Sequence, residues 1–369
     1  MPVPFLDLAA QHRPIRGEIE AAVRGVLDSQ QFILGPCVEE LERRIAVLCG
    51  TEYGVGVSSG TDALLACLMA EGIGPGDEVL VPDYSFFATA GVVARVGATP
   101  VFVDVDPRTF TLDPTAAAAL ITPRTRAVIA VHLFGQTADM DAVLALAARY
   151  GLVVIEDAAQ ALAARHGTRP AGSMGHYGAF SFFPSKNLGG VGDGGMVVTS
   201  DSARADRLRL LRVHGAREKH RHAIVGGNFR LDAIQAAVLL VKLRHLERWT
   251  ESRRRSARLY CELLRAADVA CRIELPQEAP GRRHVYNQFV VRCERRDDVR
   301  AALAARGIGT EVYYPLPLHE QECFAGLPSC GRVFASSARA AGTSLALPMY
   351  AELGEAQIGE VVGALAGAT

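Results

Sequence analysis

Between Tyr53 and Ile155 the chain switches repeatedly between short apolar runs and stretches with helical spacing, and this alternation constrains the fold more than any other feature. The runs are Tyr53–Val57, Glu78–Val81, Pro100–Val103, Ala127–Val131 and Leu152–Ile155. They are short, rich in Val and Ile, and set apart by Gly, Pro and Asp, the pattern of strands buried on both faces. Between them, Ser58-Ser59-Gly60-Thr61-Asp62 opens an apolar helix to Met69, and further helices are predicted over 86–96 and 139–149. Upstream, Ile19–Leu27 and Val38–Leu48 carry apolar residues at helical spacing, with Glu and Arg on the opposite face. Strands alternating with helices on this scale predict βαβ units. The class is α/β, with a mainly parallel central sheet and flanking helices. In such sheets ligands bind outside the carboxyl ends of the strands.

Beyond Asn228 the texture changes. One long helix is predicted from Asp232 to Leu264, with Arg253-Arg254-Arg255 read as a solvated face. After a Pro276–Arg283 boundary come a strand (Tyr286–Arg292), a helix (Asp297–Arg306), a second strand (Gly309–Tyr313) and a last helix after Glu352. The division predicted is a large α/β domain over 1–250 and a smaller C-terminal α+β domain over 251–369.

Composition narrows the function classes. Lys plus Arg number 39 and Asp plus Glu 40, a net charge of −1, which argues against a nucleic-acid partner held by phosphate neutralisation. No apolar run approaches the roughly 18 residues of a membrane span. The opening Met1-Pro2-Val3-Pro4-Phe5 has neither the basic nor the apolar part of a secretory signal, so a cytoplasmic location is expected. The eight cysteines, at 37, 49, 67, 261, 271, 293, 323 and 330, include no Cys-x-x-Cys pair. Reduced thiols are expected, with no disulfide framework and no metal site.

Only three of the 39 basic residues are Lys: Lys186, Lys219 and Lys242. Where Arg fills the generic cationic positions, a retained Lys is either chance or a place that needs an amine able to lose its proton and attack a carbonyl. Lys186 precedes a run with five glycines in the seven residues from Gly189 to Gly195, which permits unusual backbone angles and close approach to a ligand. The alternative is a glycine hairpin beside an incidental surface lysine. Leu152–Gln160 is an apolar strand ending in acids, which directs Asp157 to the crevice where a cofactor ring nitrogen could take it; the alternative is an N-cap. Ser58–Asp62, between a strand and a helix, suits a phosphate or simply caps its helix. Phe86 either stacks on a planar ring or belongs to the core. An imine-forming Lys, an Asp for a pyridinium nitrogen, a phosphate cradle and a stacking aromatic are together the parts needed to hold pyridoxal 5′-phosphate.

In this order the residues resemble the DegT/DnrJ/EryC1/StrS family of nucleotide-sugar aminotransferases. The resemblance runs nearly end to end. It covers Phe5-Leu6-Asp7-Leu8, Gln31–Pro36, Ser59–Leu64, Gly74–Val79, Val131–Gln136, Glu156–Gln160, Ser181–Gly195, Asn228–Asp232, Tyr314-Pro315 and Leu347–Tyr350, and Ser181-Phe182-Phe183-Pro184-Ser185-Lys186-Asn187-Leu188-Gly189 is its most specific block.

The resemblance implies the fold-type I architecture of pyridoxal-phosphate aminotransferases. It also implies transfer of an amino group from L-glutamate to a nucleotide-linked keto-sugar, with a dTDP-3-keto-6-deoxyhexose preferred over a 4-keto sugar or a UDP-3-keto-uronate. Pyridoxamine phosphate would be the amino-carrying form of the cofactor. By the same resemblance Lys186 carries the cofactor as a Schiff base and shuttles the proton, and Asp157 pairs with the ring nitrogen. Gln160 lies by the ring hydroxyl, Phe86 stacks, and Gly60, Thr61 and Ser181 hold the phosphate. Asn228 would reach the phosphate of a neighbouring subunit, with Arg230 near the substrate, which implies a homodimer with shared sites; the alternative for Asn228 is an N-cap. Tyr314 matches the family's His-Tyr-Pro segment, but Tyr313 stands where the His would be. His319, close by, either replaces that contact on the substrate or is an exposed loop residue. Two rivals are a pyridoxamine-phosphate-dependent sugar dehydratase, which carries His in place of the Lys, and a non-catalytic regulatory module that binds the cofactor.

Overall fold

A computed structural model describes residues 2–269, 272–327 and 332–368. Seven strands form the central sheet: β1 (Tyr53–Val57), β2 (Glu78–Pro82), β3 (Thr99–Val103), β4 (Thr125–Val131), β5 (Val153–Asp157), β6 (Tyr177–Ser181) and β7 (Gly195–Thr199). Their order is β1-β7-β6-β5-β4-β2-β3. Neighbours pair in parallel except around β7, which runs against both β1 and β6.

The first five strands lie where the alternation places them. β6 and β7 were not anticipated, because Gly178 and Gly195 interrupt the branched and aromatic runs that signal a strand.

Successive side chains of a strand face opposite sides, and β2 shows why both sides of this sheet must be covered. Val79 and Val81 enter a core with the helices Gly60–Ala70 and Ala88–Arg95, whereas Leu80 enters another with the helix Met140–Tyr150. All three side chains are fully buried, each contributing about 2 kcal/mol. A third core packs the helices Pro36–Cys49 and Ala233–Leu243 on Phe180, Phe182, Met196 and Val198.

The C-terminal part pairs β8 (Phe289–Arg292) with β9 (Ser344–Leu347), antiparallel, among the helices Leu246–Ala266, Arg296–Ala305 and Glu355–Ala368. Its core extends from Ala257 to Leu365 and takes in Val3, whose backbone bonds Gly307 and Gly309.

Three expectations are corrected. The long helix predicted over 232–264 is two, Ala233–Leu243 and Leu246–Ala266. They meet at a tight turn closed by the His245 amide on the Lys242 carbonyl, because the first packs on the large sheet and the second on the C-terminal core. Residues 309–313 make only an isolated bridge, Glu311 to Ala346, on β9, which pairs along its length with β8. The arginine run is not a solvated face throughout. Arg255 is exposed, but Arg253 is buried and donates to the carbonyls of Tyr286 (3.3 Å), Asn287 (3.3 Å) and Met349 (2.9 Å).

Among the described residues no helix is long and apolar enough to cross a membrane, and no cluster of His, Cys, Asp and Glu is placed to hold a metal. Cys37, Cys49, Cys67, Cys261, Cys293 and Cys323 are free thiols, while Cys271 and Cys330 lie outside the described residues.

A buried guanidinium that satisfies three carbonyls leaves all three without a donor when it is removed. Arg253→Ala is therefore expected to lower the unfolding free energy by about 3 kcal/mol, and Arg255→Ala by less than about 0.5 kcal/mol, in urea denaturation.

Candidate active site

A cavity of about 400 Å³ opens at the carboxyl ends of the sheet, with Val131, Asp157 and Ser181 on its wall as the last residues of β4, β5 and β6. The helix after β1 presents its N-terminus at the same place. Ser59 caps it, its hydroxyl accepting from the Asp62 amide at 3.0 Å, so the first two helical residues, Gly60 and Thr61, line the cavity with amides that have no intrahelical acceptor. The capping and ligand readings of this segment are thus compatible. Gly60 is required by contact: a Cβ there would lie 2.7 Å from the Ser181 Cβ. Amide donors and a helix dipole at one end of a cavity suit a dianionic phosphate.

Lys186 and Asp157 line this cavity together with Phe86, Gln160, Tyr314 and Ser85. Burial pulls the Lys186 ammonium down to about 8, and the nearby Asp157 charge opposes that shift. For Asp157 burial pushes the carboxyl up. Against it work hydrogen bonds from the Thr89 hydroxyl (2.9 Å) and the Ala159 amide (3.3 Å), and then the charge of Lys186. No helix follows Asp157, so it is not an N-cap; its bond to Ala159 closes a turn. Phe86 is 58% exposed on the cavity wall and is not a core residue.

Gln160 accepts from the Phe134 amide at 2.6 Å and donates to the Tyr314 hydroxyl at 3.1 Å, which leaves one amide hydrogen for a ligand. The glycine run acts by contact and not by unusual angles. None of its members has φ in the left-handed region, whereas a Cβ on Gly195 would meet the Ser59 carbonyl oxygen at 2.4 Å.

Adjacent acids at the end of β5 part company. Glu156 is fully buried and accepts four hydrogen bonds: His132 Nε2 (2.7 Å), Gly172 N (2.8 Å), Met174 N (2.6 Å) and Gly175 N (2.6 Å). His132 Nδ1 accepts from the Ala138 amide at 3.1 Å, which puts the proton on Nε2, toward Glu156.

Three residues named from sequence lie outside the cavity lining. Asn228 is exposed and bridges Val213 through its backbone, and it is no N-cap, because Asp232 caps the next helix. Arg230 bridges Val57, its Nε buried without a partner. His319 is engaged elsewhere: its Nδ1 lies 2.8 Å from Asp83 and its ring packs on Phe334. Sequence reasoning overlooked Thr89, Ser85 and Asp193. Ser85 precedes the helix Ala88–Arg95, so no helical period tied it to Thr89 in the sequence.

Comparison with known proteins agrees with this geometry. The family model described as the DegT/DnrJ/EryC1/StrS aminotransferase family matches residues 14–366. A UDP-N-acetyl-3-dehydro-alpha-D-glucosamine 3-aminotransferase of Acidithiobacillus ferrooxidans is 46% identical over 97% of this chain and 96% of its own length. A dTDP-3-amino-3,4,6-trideoxy-alpha-D-glucose transaminase of Streptomyces venezuelae is 48% identical, covering 88% of this chain and 85% of that one. Among solved structures, S. venezuelae DesV in complex with a ketimine intermediate superposes with a TM-score of 0.95 at 45% identity, covering 99% of this chain and 98% of its own. A match this long, on a fold whose amine, carboxylate and helix N-terminus meet in one cavity, makes the chain a member of the DegT/DnrJ/EryC1/StrS aminotransferase family.

Proposed function

We propose that the protein is a pyridoxal-phosphate-dependent aminotransferase that moves an amino group from L-glutamate to a nucleotide-linked 3-keto sugar, with a dTDP-3-keto-6-deoxyhexose as the preferred acceptor. The observation that carries this reading is the placement of Lys186 and Asp157 in one cavity that is also lined by the helix N-terminus at Gly60 and Thr61. The printed names of two relatives, both acting on sugars aminated at position 3, support the choice of carbon.

The residues fit the cofactor. Gly60 and Thr61 would present amides to its phosphate, with Ser181 against them, and Phe86 would offer a face to its ring. Asp157 would take the ring nitrogen, and the unspent hydrogen of Gln160 would be available to the ring hydroxyl. When bound, pyridoxal phosphate supplies an electron-withdrawing ring that lets a proton leave the carbon bearing the amino group. Lys186 Nζ must take that proton as a neutral amine and return it as an ammonium. A pKa drawn down to about 8 keeps both forms within reach near neutral pH. Burial of Asp157 excludes water from its pairing edge, and the Tyr314 hydroxyl, pushed up by burial, stays protonated as it accepts from Gln160.

Asn228 and Arg230 point the reading toward a homodimer. Neither lines its own cavity, whose rim carries the exposed rings of Phe86 and Phe183. In the dimer, Asn228 and Arg230 of the partner subunit complete the phosphate and sugar ends.

Three measurements check these statements. First, purified holoenzyme given L-glutamate alone should lose its visible band and release 2-oxoglutarate, and then aminate the dTDP-linked sugar faster than its UDP-linked counterparts. Lys186→Ala should abolish both, and its retention of full turnover would reject the assignment. Second, the rate at which apoenzyme takes up the cofactor should rise through pH about 8 instead of the 10.5 of an ordinary lysine, because only the neutral amine attacks. Asp157→Asn removes a charge that holds that pKa up, so it should move the midpoint to lower pH. Third, mixing inactive Lys186→Ala and Arg230→Ala subunits should restore about a quarter of native activity: half the dimers are mixed and one of their two sites is intact. No recovery would exclude shared sites.

A further inference from the structure

The carboxylate of Asp157 does not stand alone. Its Oδ2 accepts from Thr89 Oγ1 at 2.9 Å, and Thr89 Oγ1 lies 3.0 Å from Ser85 Oγ. Thr89 is completely buried and Ser85 only 3% exposed. Proton accounting gives this chain one direction. A carboxylate carries no proton, so the single hydroxyl hydrogen of Thr89 goes to Asp157, and the Thr89 oxygen must then accept from Ser85. Ser85 comes from the segment that joins β2 to the helix Ala88–Arg95, the segment that also brings Phe86 to the cavity wall, and Thr89 is the second residue of that helix. The other oxygen, Oδ1, is tied more loosely to the Ala159 amide at 3.3 Å.

We propose that Thr89, anchored by Ser85, is a positioning residue that fixes the plane of the Asp157 carboxylate and so presents its pairing edge to the ring nitrogen of the cofactor. The proposal rests on the reading that Asp157 pairs with that nitrogen. Without the Thr89 hydroxyl, Asp157 keeps only the Ala159 amide and the Lys186 charge that faces it, with the neutral His132 imidazole and the Tyr314 phenol nearby. A carboxylate free to turn holds the ring nitrogen's proton less firmly. A positively charged ring repels a proton on the cofactor-bound Lys186 nitrogen, so a ring that loses its charge lets that nitrogen keep its proton to higher pH.

The test is a pH titration of the visible absorption of the holoenzyme, with thermal unfolding measured alongside. Thr89→Val, which keeps the shape and removes the oxygen, should raise the titration midpoint by about 0.5 to 1 pH unit, a ~3- to 10-fold change in the proton equilibrium. Thr89→Ser should restore the native midpoint. Asp157→Asn should raise it at least as far. A native midpoint in Thr89→Val, with or without a lower melting temperature, would overturn the proposal while leaving the role of Asp157 intact. An unmoved midpoint in Asp157→Asn would instead overturn the reading on which it rests. If Thr89→Val does not fold, Ser85→Ala decides: it leaves Thr89 in place but unanchored and should move the midpoint in the same direction by a smaller amount, and no movement would reject the chain.

Discussion

The cofactor end of the sheet depends on one buried carboxylate. Glu156 has no access to solvent, and a bare charge there would be prohibitively costly, yet its two oxygens take four donors from two separate places. The donors are the imidazole beyond β4 and the backbone of the 172–175 loop that leads into β6. One side chain thus ties the ends of β4 and β5 to the entry of β6. The site inherits this rigidity, because a strand alternates its faces and Asp157, the next residue, points the other way, toward the cavity.

Around that fixed point the chemistry is a balance of opposed charges. Burial makes an ammonium easier to deprotonate and a carboxylate harder to ionise, so Lys186 and Asp157 would each drift toward neutrality if isolated. Facing each other, each moderates the other's drift. The hydroxyls and amides of the cavity complete the compensation. This explains why so many of its polar groups arise from loops at strand ends, where backbone donors are still unspent.

The rarity of lysine pointed to Lys186 but did not isolate it. Lys242 is buried and likewise drawn down to about 8, with Glu352 as the opposing charge, while Lys219 is exposed. A depressed amine is therefore not specific in this chain. What distinguishes Lys186 is the cavity, with an acid and a helix N-terminus across it. Lys242 lies on the helix Ala233–Leu243 and is not among the residues that line that cavity.

Patterns local in the chain were legible by themselves: five of seven sheet strands, the longer helices between them but not the short Pro114–Ala118, the capped helix at Ser59, and the blocks around Asp157 and Lys186. They were legible because apolar period and capping chemistry are decided within a few residues. What tertiary structure alone decided is non-local. Whether Arg253 faces water or three carbonyls, and whether residues 232–264 form one helix or two, depend on what packs against them. Which of the adjacent acids Glu156 and Asp157 braces the sheet and which faces the cavity depends on the donors that approach each from afar. So does the attachment of Thr89 to a carboxylate 68 residues away, since a hydroxyl in sequence shows neither its burial nor its partner.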